Sequence, residues 1–197
     1  MTQQRRSVLV TGGSRGIGHA VAKELSKDHH VLVGGTHPDT VNAVVGQLDD
    51  AEPFIADLPD AQAVAEAVAA VDRLDAVVHS AGTYGSGNTL AQTSRSEWRD
   101  VLELNVVAVA DLTAQLLPLL RDSHGQIVMI NSGSGLHRPG PRTGVYAASK
   151  YALRALTDAL REEERGAVRV TTVYPGRVNT DMQGNRQHQM GPEDDPA

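Results

Sequence analysis

The sequence predicts a doubly wound α/β fold, in which a parallel sheet is covered by helices on both faces. Short apolar runs of strand length alternate with longer segments of helical periodicity along the 197 residues. The intervals between the runs are long enough for the crossover helices that parallel strands require. A composition of 40% hydrophobic and 21% charged residues suits one domain with a substantial core. We therefore expect a three-layer α/β/α domain.

Six short apolar runs are candidates for the buried strands of this sheet. They occupy residues 7–10, 31–34, 54–56, 76–79, 127–130 and 168–173. The segments with helical spacing are residues 17–26, 40–48, 61–71, 97–120 and 145–164. We predict one domain over residues 1–182, followed by a polar tail at 183–197 that is either truncated or disordered.

The predicted helix 97–120 contains VVAVADLTAQLLPLL, which is apolar on nearly every side. A helix of this kind is usually covered on more than one side. Its own chain alone could provide the cover, and a second subunit would do so equally well. A homodimer or homotetramer formed through helices 97–120 and 145–164 is therefore expected. Pro118 should mark either the last turn of the first helix or a kink in it.

The bulk composition argues against several classes of function. A formal net charge of -6, without a cluster of lysine and arginine, argues against nucleic-acid binding. The chain has no cysteine, which excludes disulfides, thiolate catalysis and cysteine-ligated zinc, and we predict no metal site. Arg5 and Arg6 resemble a twin-arginine export signal, but TGGSRG interrupts the apolar run that follows them. Without a continuous apolar stretch of about 18 residues, a cytoplasmic protein that does not bind membranes is expected.

A glycine-rich loop joins the first predicted strand to the first predicted helix. Gly12, Gly16 and Gly18 in TGGSRGIG have the spacing Gly-xxx-Gly-x-Gly. Glycine lets the backbone turn tightly and approach a pyrophosphate, while the amino end of the helix offers free N–H groups. A tight turn without a ligand is the less favoured interpretation. The loop therefore predicts a dinucleotide site at the carboxyl edge of the sheet, where such sheets bind their ligands.

The end of the second predicted strand indicates which dinucleotide binds. NAD-selective sites carry an acidic residue there, which binds the ribose 2′-hydroxyl. Here Thr36 and His37 follow Gly35, and the first carboxylate, Asp39, is expected to be a helix N-cap. Arg15 in the glycine loop could pair with a 2′-phosphate. We therefore predict NADP(H) as the preferred cofactor and keep NAD(H) as the second candidate.

Asp57 follows the third predicted strand in FIADLPD. Its carboxylate could accept a hydrogen bond from the adenine amino group, or it could cap the helix that begins near Asp60. Position in the sequence does not separate these two roles.

Tyr146 and Lys150 lie four residues apart in VYAASKYALRAL and so share one face of a predicted helix. Tyr151 points about 100° away from Lys150 and is expected to pack against the protein. A free phenol has a pKa of about 10, but an ammonium group beside it favours the phenolate. Tyr146 is therefore a candidate acid/base for a hydroxyl or carbonyl substrate.

Two further polar residues are candidates for the same site. Ser132 follows the fifth predicted strand in GQIVMINSGSG, where its hydroxyl could hold a substrate oxygen against Tyr146. A serine considered alone would more simply bond its own backbone. Asn105 interrupts the apolar run ELNVVAV, and a buried amide must find hydrogen-bond partners in backbone or water.

With these motifs in this order, residues 7–182 resemble the short-chain dehydrogenase/reductase family. The resemblance implies a Rossmann-type sheet, with TGGSRGIG as the cofactor loop and Asp57 as the adenine contact. It also implies a tyrosine acid/base, a serine that orients the substrate oxygen, a lysine that binds the nicotinamide ribose, and an asparagine that supports a water-linked proton relay. The residues that match this tetrad are Tyr146, Ser132, Lys150 and Asn105.

The cofactor contacts that the resemblance implies lie in the loops after the strands. They are Gly12, Ser14, Arg15, Gly16, Ile17, Gly18, Thr36, His37, Asp57, Leu58, Ser80, Ala81, Gly82, Tyr146, Lys150, Pro175, Gly176, Val178 and Thr180. In YPGRVNTDM, Pro175 and Gly176 match the family's turn beside the nicotinamide. Thr180 matches the residue that bonds its carboxamide.

The chain departs from the family pattern at three places. The fourth strand ends in HSAG instead of Asn-Asn-Ala-Gly, so His79 and Ser80 replace two bracing amides, and His79 is expected to be structural. One extra residue before Tyr146 makes Ser134 a second candidate for the role of Ser132. After Met182 the sequence matches neither the family's substrate-covering helices nor its seventh strand, so six strands are expected.

The resemblance implies an oxidoreductase that interconverts a ketone or aldehyde and the corresponding alcohol. The small-molecule substrate is expected in a pocket that includes Tyr84, Leu136, His137 and Met182. Few stacking platforms are available at 3% aromatic content, which favours a small or aliphatic substrate. The alternative is a catalytically silent dinucleotide-binding protein that acts as a sensor or assembly partner.

Overall fold

The computed structural model describes residues 5–176 and residue 178. Within these residues one sheet contains six strands, all of them parallel. The strands are β1 (Ser7–Thr11), β2 (His30–Gly35), β3 (Ala51–Ile55), β4 (Ala76–His79), β5 (Gln126–Ile130) and β6 (Arg169–Val173). The predicted doubly wound parallel sheet is confirmed.

The strand order is β3-β2-β1-β4-β5-β6. The direction of winding reverses between β1 and β4, which lie side by side with Thr11 opposite His79. Ligands of such sheets bind in the crevice beyond the carboxyl ends of the strands at this reversal. The glycine loop after β1 and the HSAG sequence that ends β4 therefore meet at the edge where a cofactor is expected.

The helices follow the predicted order. Among the described residues they are α1 (Gly16–Leu25), α2 (Pro38–Val45), α3 (Ala61–Ala69), α4 (Arg95–Leu102), α5 (Ala108–Asp122) and α6 (Gly144–Glu163). Hydrophobic residues on the two faces of the sheet form two clusters. Val10 belongs to the cluster that contains Val41 of α2, whereas Leu9 belongs to the cluster that contains Leu112 of α5. Successive residues of a strand point to opposite faces of the sheet. Adjacent residues of β1 therefore pack against helices on opposite sides of it.

The third strand begins earlier than predicted. β3 covers Ala51–Ile55 instead of residues 54–56, and it includes Pro53 opposite Val33. Proline lacks the N–H that a central strand needs, and it is tolerated here because β3 lies at the edge of the sheet. The beginning of an edge strand therefore carried a weaker sequence signal than the buried central strands did.

The second helix begins differently from the prediction, which made Asp39 the N-cap. His37 occupies the N-cap position and Pro38 the first helical position. The fixed φ of proline suits that first position, so Asp39 falls inside the first turn. Its negative charge there is favourable near the positive end of the helix dipole.

The helix predicted over 97–120 extends from Arg95 to Asp122 and is interrupted by a π-helical turn, Glu103–Val107, between α4 and α5. A π turn inserts a residue into the helical ladder and is frequent at functional sites. Pro118 lies inside α5. The observed interruption of the helix lies at Glu103–Val107, and the role expected of Pro118, a last turn or a kink, stays a prediction.

By length and mean hydropathy, the helix from Arg95 to Asp122 is also capable of crossing a membrane. Core helices of soluble proteins meet the same criterion, and Leu112, Leu116 and Leu120 are fully buried within the domain. We therefore interpret this helix as part of the core.

Candidate active site

The glycine loop after β1 has a conformation that glycine adopts readily. Gly12 and Gly16 have φ angles of 64° and 56°, in the left-handed region that other residues avoid. Half-buried Ile17 follows in the first turn of α1. A β-carbon on Gly18 would lie 2.3 Å from the carbonyl oxygen of Gly12. The helix thus begins directly against the loop, and this backbone arrangement fits a pyrophosphate.

Thr11 joins the glycine loop to the loop after β4. Its hydroxyl oxygen accepts hydrogen bonds from the N–H groups of Ser80 and Ala81, at 3.0 and 3.1 Å. A β-carbon on Gly12 would lie only 2.9 Å from the Cα of Ala81. Thr11 was not among the predicted site residues, because a threonine at the end of a buried strand does not by itself indicate a partner distant in sequence.

The residues predicted to select the cofactor are accessible. Arg15, at the N-cap position of α1, is exposed, as are Thr36 and His37 after β2. Ser14 is half-buried, and a β-carbon on Gly35 would lie 3.6 Å from its Oγ. The glycine loop and the end of β2 are therefore neighbours.

After β3, Asp57 is exposed and Leu58 is buried. Asp60 caps α3, because its carboxylate accepts hydrogen bonds from the N–H groups of Gln62 and Ala63 at 3.0 and 3.2 Å. The alternative in which Asp57 caps this helix is therefore wrong. The adenine contact remains a prediction for Asp57.

On α6, Tyr146 and Lys150 are close in space, as their spacing predicts. The Nζ of Lys150 lies 5.7 Å from the centre of the Tyr146 ring and donates a hydrogen bond to the carbonyl oxygen of Ile130 at 3.2 Å. Only 6% of Lys150 is exposed, and burial lowers its pKa to about 8. Desolvation disfavours the ammonium form, so Lys150 gives up its proton more readily than a surface lysine does.

Two other tyrosines lie near this pair. The ring centres of Tyr84 and Tyr146 are 4.7 Å apart, with the ring planes tilted by 41°. Tyr151, which was expected to pack, is 39% exposed, and its hydroxyl donates to the carbonyl oxygen of His137 at 3.1 Å. It ties the loop before α6 to the helix. Leu136 and His137 of that loop are exposed.

The π-helical turn places Asn105 in a buried position beside the loop after β4. Its amide nitrogen donates to the carbonyl oxygen of Thr83 at 2.8 Å, and its amide oxygen accepts from the N–H of Thr83 at 2.8 Å. A β-carbon on Gly82 would lie 3.1 Å from Asn105 Oδ1 and 4.0 Å from the Nζ of Lys150. The buried amide thus finds backbone partners, and Gly82 lies between it and the lysine.

Two buried polar residues that sequence analysis missed complete these contacts. The Ser149 hydroxyl accepts from the amide nitrogen of Asn105 at 3.0 Å and donates to the carbonyl oxygen of Tyr146 at 2.7 Å. Asn131 donates to the carbonyl oxygen of Lys150 at 3.2 Å. Ser149 and Asn131 directly precede the predicted site residues Lys150 and Ser132. This adjacency was the only indication of them in the sequence.

Ser132 follows Asn131 at the carboxyl end of β5. Its hydroxyl oxygen accepts a hydrogen bond from the N–H of Ser134 at 3.2 Å, in the turn Gly133–Gly135. The simpler interpretation, a serine that bonds local backbone, therefore applies. Because the oxygen only accepts in this bond, the hydroxyl proton can still be donated to a substrate. Ser134, the second candidate for this role, supplies its backbone N–H to Ser132.

His79 is buried at the end of β4, with 2% exposure. The hydroxyl of Thr113 donates to the carbonyl oxygen of Val109 at 2.6 Å, which leaves the Nε2–H of His79 to donate to Thr113 Oγ1 at 3.0 Å. Its Nδ1 has no hydrogen-bond partner among the described residues. Burial lowers the pKa of His79 to about 4. A neutral imidazole that links β4 to α5 agrees with the expected structural role.

This buried histidine should make the domain sensitive to acid. The unfolded chain takes up a proton on His79 as the pH falls through about 6.5, whereas the folded protein resists protonation until about pH 4. The contribution of neutral His79 to the free energy of unfolding is therefore fully present above the unfolded pKa. About 2 kcal/mol of this free energy is lost as the pH falls from about 7.5 to about 5. Urea denaturation gives the free energy of unfolding at each of these two pH values. The difference between the two free energies should be smaller for His79→Asn than for the wild type. His124→Asn, at an exposed histidine, should keep the wild-type difference, and an unchanged difference in His79→Asn would contradict the assignment.

The last predicted contacts follow β6. Pro175 is half-buried, while Gly176 and Val178 are exposed. Thr180, Met182 and the predicted tail at 183–197 lie outside the described residues. Across residues 5–176 and 178, no group of three histidine, aspartate or glutamate side chains is arranged to hold a metal ion.

A family model described as short chain dehydrogenase matches residues 6–191. A curated relative, the uncharacterized oxidoreductase YbbO of Escherichia coli K12, is 36% identical over 187 residues, which cover 92% of this chain and 69% of the relative. The NADPH-dependent pterin aldehyde reductase of Arabidopsis thaliana is 30% identical over 186 residues, covering 90% of this chain and 76% of that protein.

Solved structures agree with this assignment. A short chain dehydrogenase of Shigella flexneri complexed with NADP has a TM-score of 0.89 and 29% identity, covering 96% of this chain and 84% of that one. The RhlG/NADP complex of Pseudomonas aeruginosa has a TM-score of 0.88 and 30% identity, covering 96% and 78%. The family model, the relatives and the fold all indicate the same family. The chain belongs to the short-chain dehydrogenase family of NAD(P)-dependent oxidoreductases.

Proposed function

We propose that the protein interconverts a small ketone or aldehyde and the corresponding alcohol, using NADP(H) and with Tyr146 as the acid/base. The observation that carries the proposal is the convergence of three motifs at one edge of the sheet. Thr11 bonds the loop after β4 to the glycine loop, and Gly82 of that same loop lies against Asn105 and Lys150. A cofactor held by the glycine loop and a substrate held by Tyr146 would therefore share one crevice.

Tyr146 exchanges a proton with the substrate oxygen in this proposal. A positive charge near its ring favours the phenolate, and Lys150, whose pKa burial lowers to about 8, still carries that charge at neutral pH. Ser132 donates a hydrogen bond to the same substrate oxygen. NADPH, when bound, supplies the hydride, while the chain supplies the proton and the orientation.

Asn105 supports this site through structure. Both amide hydrogens are donated, to Thr83 and Ser149, and the amide oxygen already accepts one bond from Thr83. We therefore assign its side chain to fixing the loop after β4 and the backbone of Tyr146. One lone pair of the amide oxygen is left for the water that a proton relay would use.

The preference for NADP(H) rests on charge. Residues 35–38 contain no carboxylate that would repel a 2′-phosphate, and Arg15 is exposed at the start of α1. The Arabidopsis relative is named for its dependence on NADPH, and the solved relatives from Shigella and Pseudomonas hold NADP. These observations support NADP(H) as the cofactor of this chain.

Thr36→Asp is expected to shift the ratio of NADPH to NADH affinity toward NADH by roughly tenfold or more, because the new carboxylate repels a 2′-phosphate. Fluorescence titration with each cofactor measures the ratio. Thr36→Asn is the matched control, because asparagine has the size of aspartate without its charge. This variant should keep the wild-type ratio. Equal ratios for the two variants would contradict the proposed position of the 2′-phosphate.

The reaction itself is tested by mixing the protein with NADPH and a panel of ketones and aldehydes. Oxidation of NADPH, followed by its absorbance, is the expected result with at least one small or aliphatic carbonyl compound. Tight NADPH binding without oxidation across the panel would contradict the proposal and favour a catalytically silent dinucleotide-binding protein.

We also propose that the protein is cytoplasmic, that residues 1–182 form its single domain, and that it assembles through helices 97–120 and 145–164. Val107, at the end of the π-helical turn, is 50% exposed. An exposed apolar side chain on this otherwise apolar helix supports a subunit contact there. Light scattering coupled to size exclusion should give the mass of a dimer or tetramer.

A further inference from the structure

The segment of residues 83–88, which carries Tyr84, is held at two points by residues of the long interrupted helix. Asn105 bonds both the N–H and the carbonyl oxygen of Thr83. Glu97, in the first turn of α4, accepts two hydrogen bonds from Ser86 at its Oε1, one from the backbone N–H and one from the hydroxyl, both at 2.6 Å. The segment is therefore fixed on either side of Tyr84.

Glu97 is close to the backbone of this segment. Gly85 has a φ of 81°, and a β-carbon on it would lie 2.8 Å from Glu97 Oε1, 3.2 Å from Val101 and 3.3 Å from Val145. Only glycine fits such a position. The segment thus lies against α4 and against the first turn of α6. Its contact on α6 is Val145, which immediately precedes Tyr146.

The position of Glu97 in the sequence suggests a different partner. Ser94 is the N-cap of α4, and its hydroxyl accepts from the N–H of Glu97 at 3.1 Å. Serine and glutamate at this spacing form a capping box when the glutamate returns a bond to the N-cap backbone. Here the carboxylate accepts from Ser86 instead, so the side chain reaches toward the segment that carries Tyr84.

We propose that Glu97 is a positioning residue for Tyr146 and acts through Tyr84. By holding Ser86, the carboxylate fixes the ring of Tyr84 against the ring of Tyr146, with their centres 4.7 Å apart. Contact between tilted aromatic rings at this distance depends on their relative orientation and so favours one arrangement of the pair. The inference rests on the proposed role of Tyr146, whose phenol must be held at one angle to pass a proton to a substrate oxygen.

The structural half of the proposal is tested without turnover. The chain has four tyrosines, so fluorotyrosine labelling should give four fluorine NMR resonances, each assigned by a single Tyr→Phe variant. Tyr84→Ala should move the Tyr146 resonance, and Glu97→Ala should move it toward the same position, with no further movement in the double variant. Tyr84→Phe, which keeps the ring, and Glu66→Ala, at an exposed position of α3, should leave it near the wild-type position. A wild-type Tyr146 resonance in Glu97→Ala would overturn the proposal.

The functional half uses NADPH and an accepted carbonyl substrate. Glu97→Ala and Tyr84→Ala should each lower kcat by about tenfold, with NADPH affinity nearly unchanged, and the double variant should lose no more than either single one. Tyr84→Phe, which keeps the ring and removes only the hydroxyl, should lose less kcat than Tyr84→Ala does. Additive losses, or lower stability with kcat preserved, would overturn the role of Glu97. A wild-type protein without turnover would overturn the proposed function, while the NMR comparison would still decide whether Glu97 fixes Tyr84.

Discussion

Tyr146→Phe is expected to lower turnover with NADPH by a factor of about one hundred to ten thousand, the usual range for loss of a general acid or base. The variant keeps the aromatic ring, and with it the contacts to Tyr84 and Lys150 at 4.7 and 5.7 Å. It removes only the hydroxyl that would exchange a proton with the substrate. Steady-state rates and fluorescence titration of NADPH should show a lost kcat with nearly unchanged cofactor affinity.

Tyr151→Phe is the matched control for this experiment. Tyr151 lies on the same helix, but it is exposed and its hydroxyl donates to the carbonyl oxygen of His137. Turnover should therefore stay within about twofold of the wild type, because this hydroxyl bond lies on the surface. Full activity in Tyr146→Phe, or equal losses in the two variants, would exclude Tyr146 as the acid/base.

Gly18→Ala is the second change with a large expected effect. The added β-carbon would lie 2.3 Å from the carbonyl oxygen and 2.8 Å from the carbonyl carbon of Gly12. Both are backbone atoms, so the start of α1 and the glycine loop must move apart. We expect NADPH affinity to fall by tenfold or more and the free energy of unfolding to fall by about 1–3 kcal/mol. Fluorescence titration and urea denaturation measure the two effects.

Gly46→Ala separates this clash from a general effect of replacing glycine. Gly46 is exposed at the end of α2 with a φ of -65°, and the closest contact of an added β-carbon would be an ordinary 3.5 Å. NADPH affinity should be unchanged and stability should not fall. Wild-type NADPH affinity in Gly18→Ala would show that the glycine loop does not hold the pyrophosphate.

The candidate site was only partly predictable from the sequence. The glycine loop and the Tyr146–Lys150 pair are local patterns, because a strand-to-helix turn and a four-residue helical spacing are each contained in a few consecutive residues. The contacts of Thr11, Glu97 and Ser149 were not predictable. Each of these side chains bonds a segment distant in sequence, and a threonine, glutamate or serine is unremarkable where it stands in the chain.

The sequence by itself determined the fold class, the order of strands and helices, and the residues that first indicated chemistry, because periodicity and turn-forming residues act over short distances. Only the tertiary structure decided that the long helix contains a π-helical turn, that Pro53 lies in an edge strand, and that the buried amide of Asn105 holds Thr83. The physical reason is that a buried polar group takes whichever partner packing brings within reach. For Asn105 and Glu97 that partner is the short segment after β4. This segment contains Tyr84, whose ring contacts the ring of Tyr146.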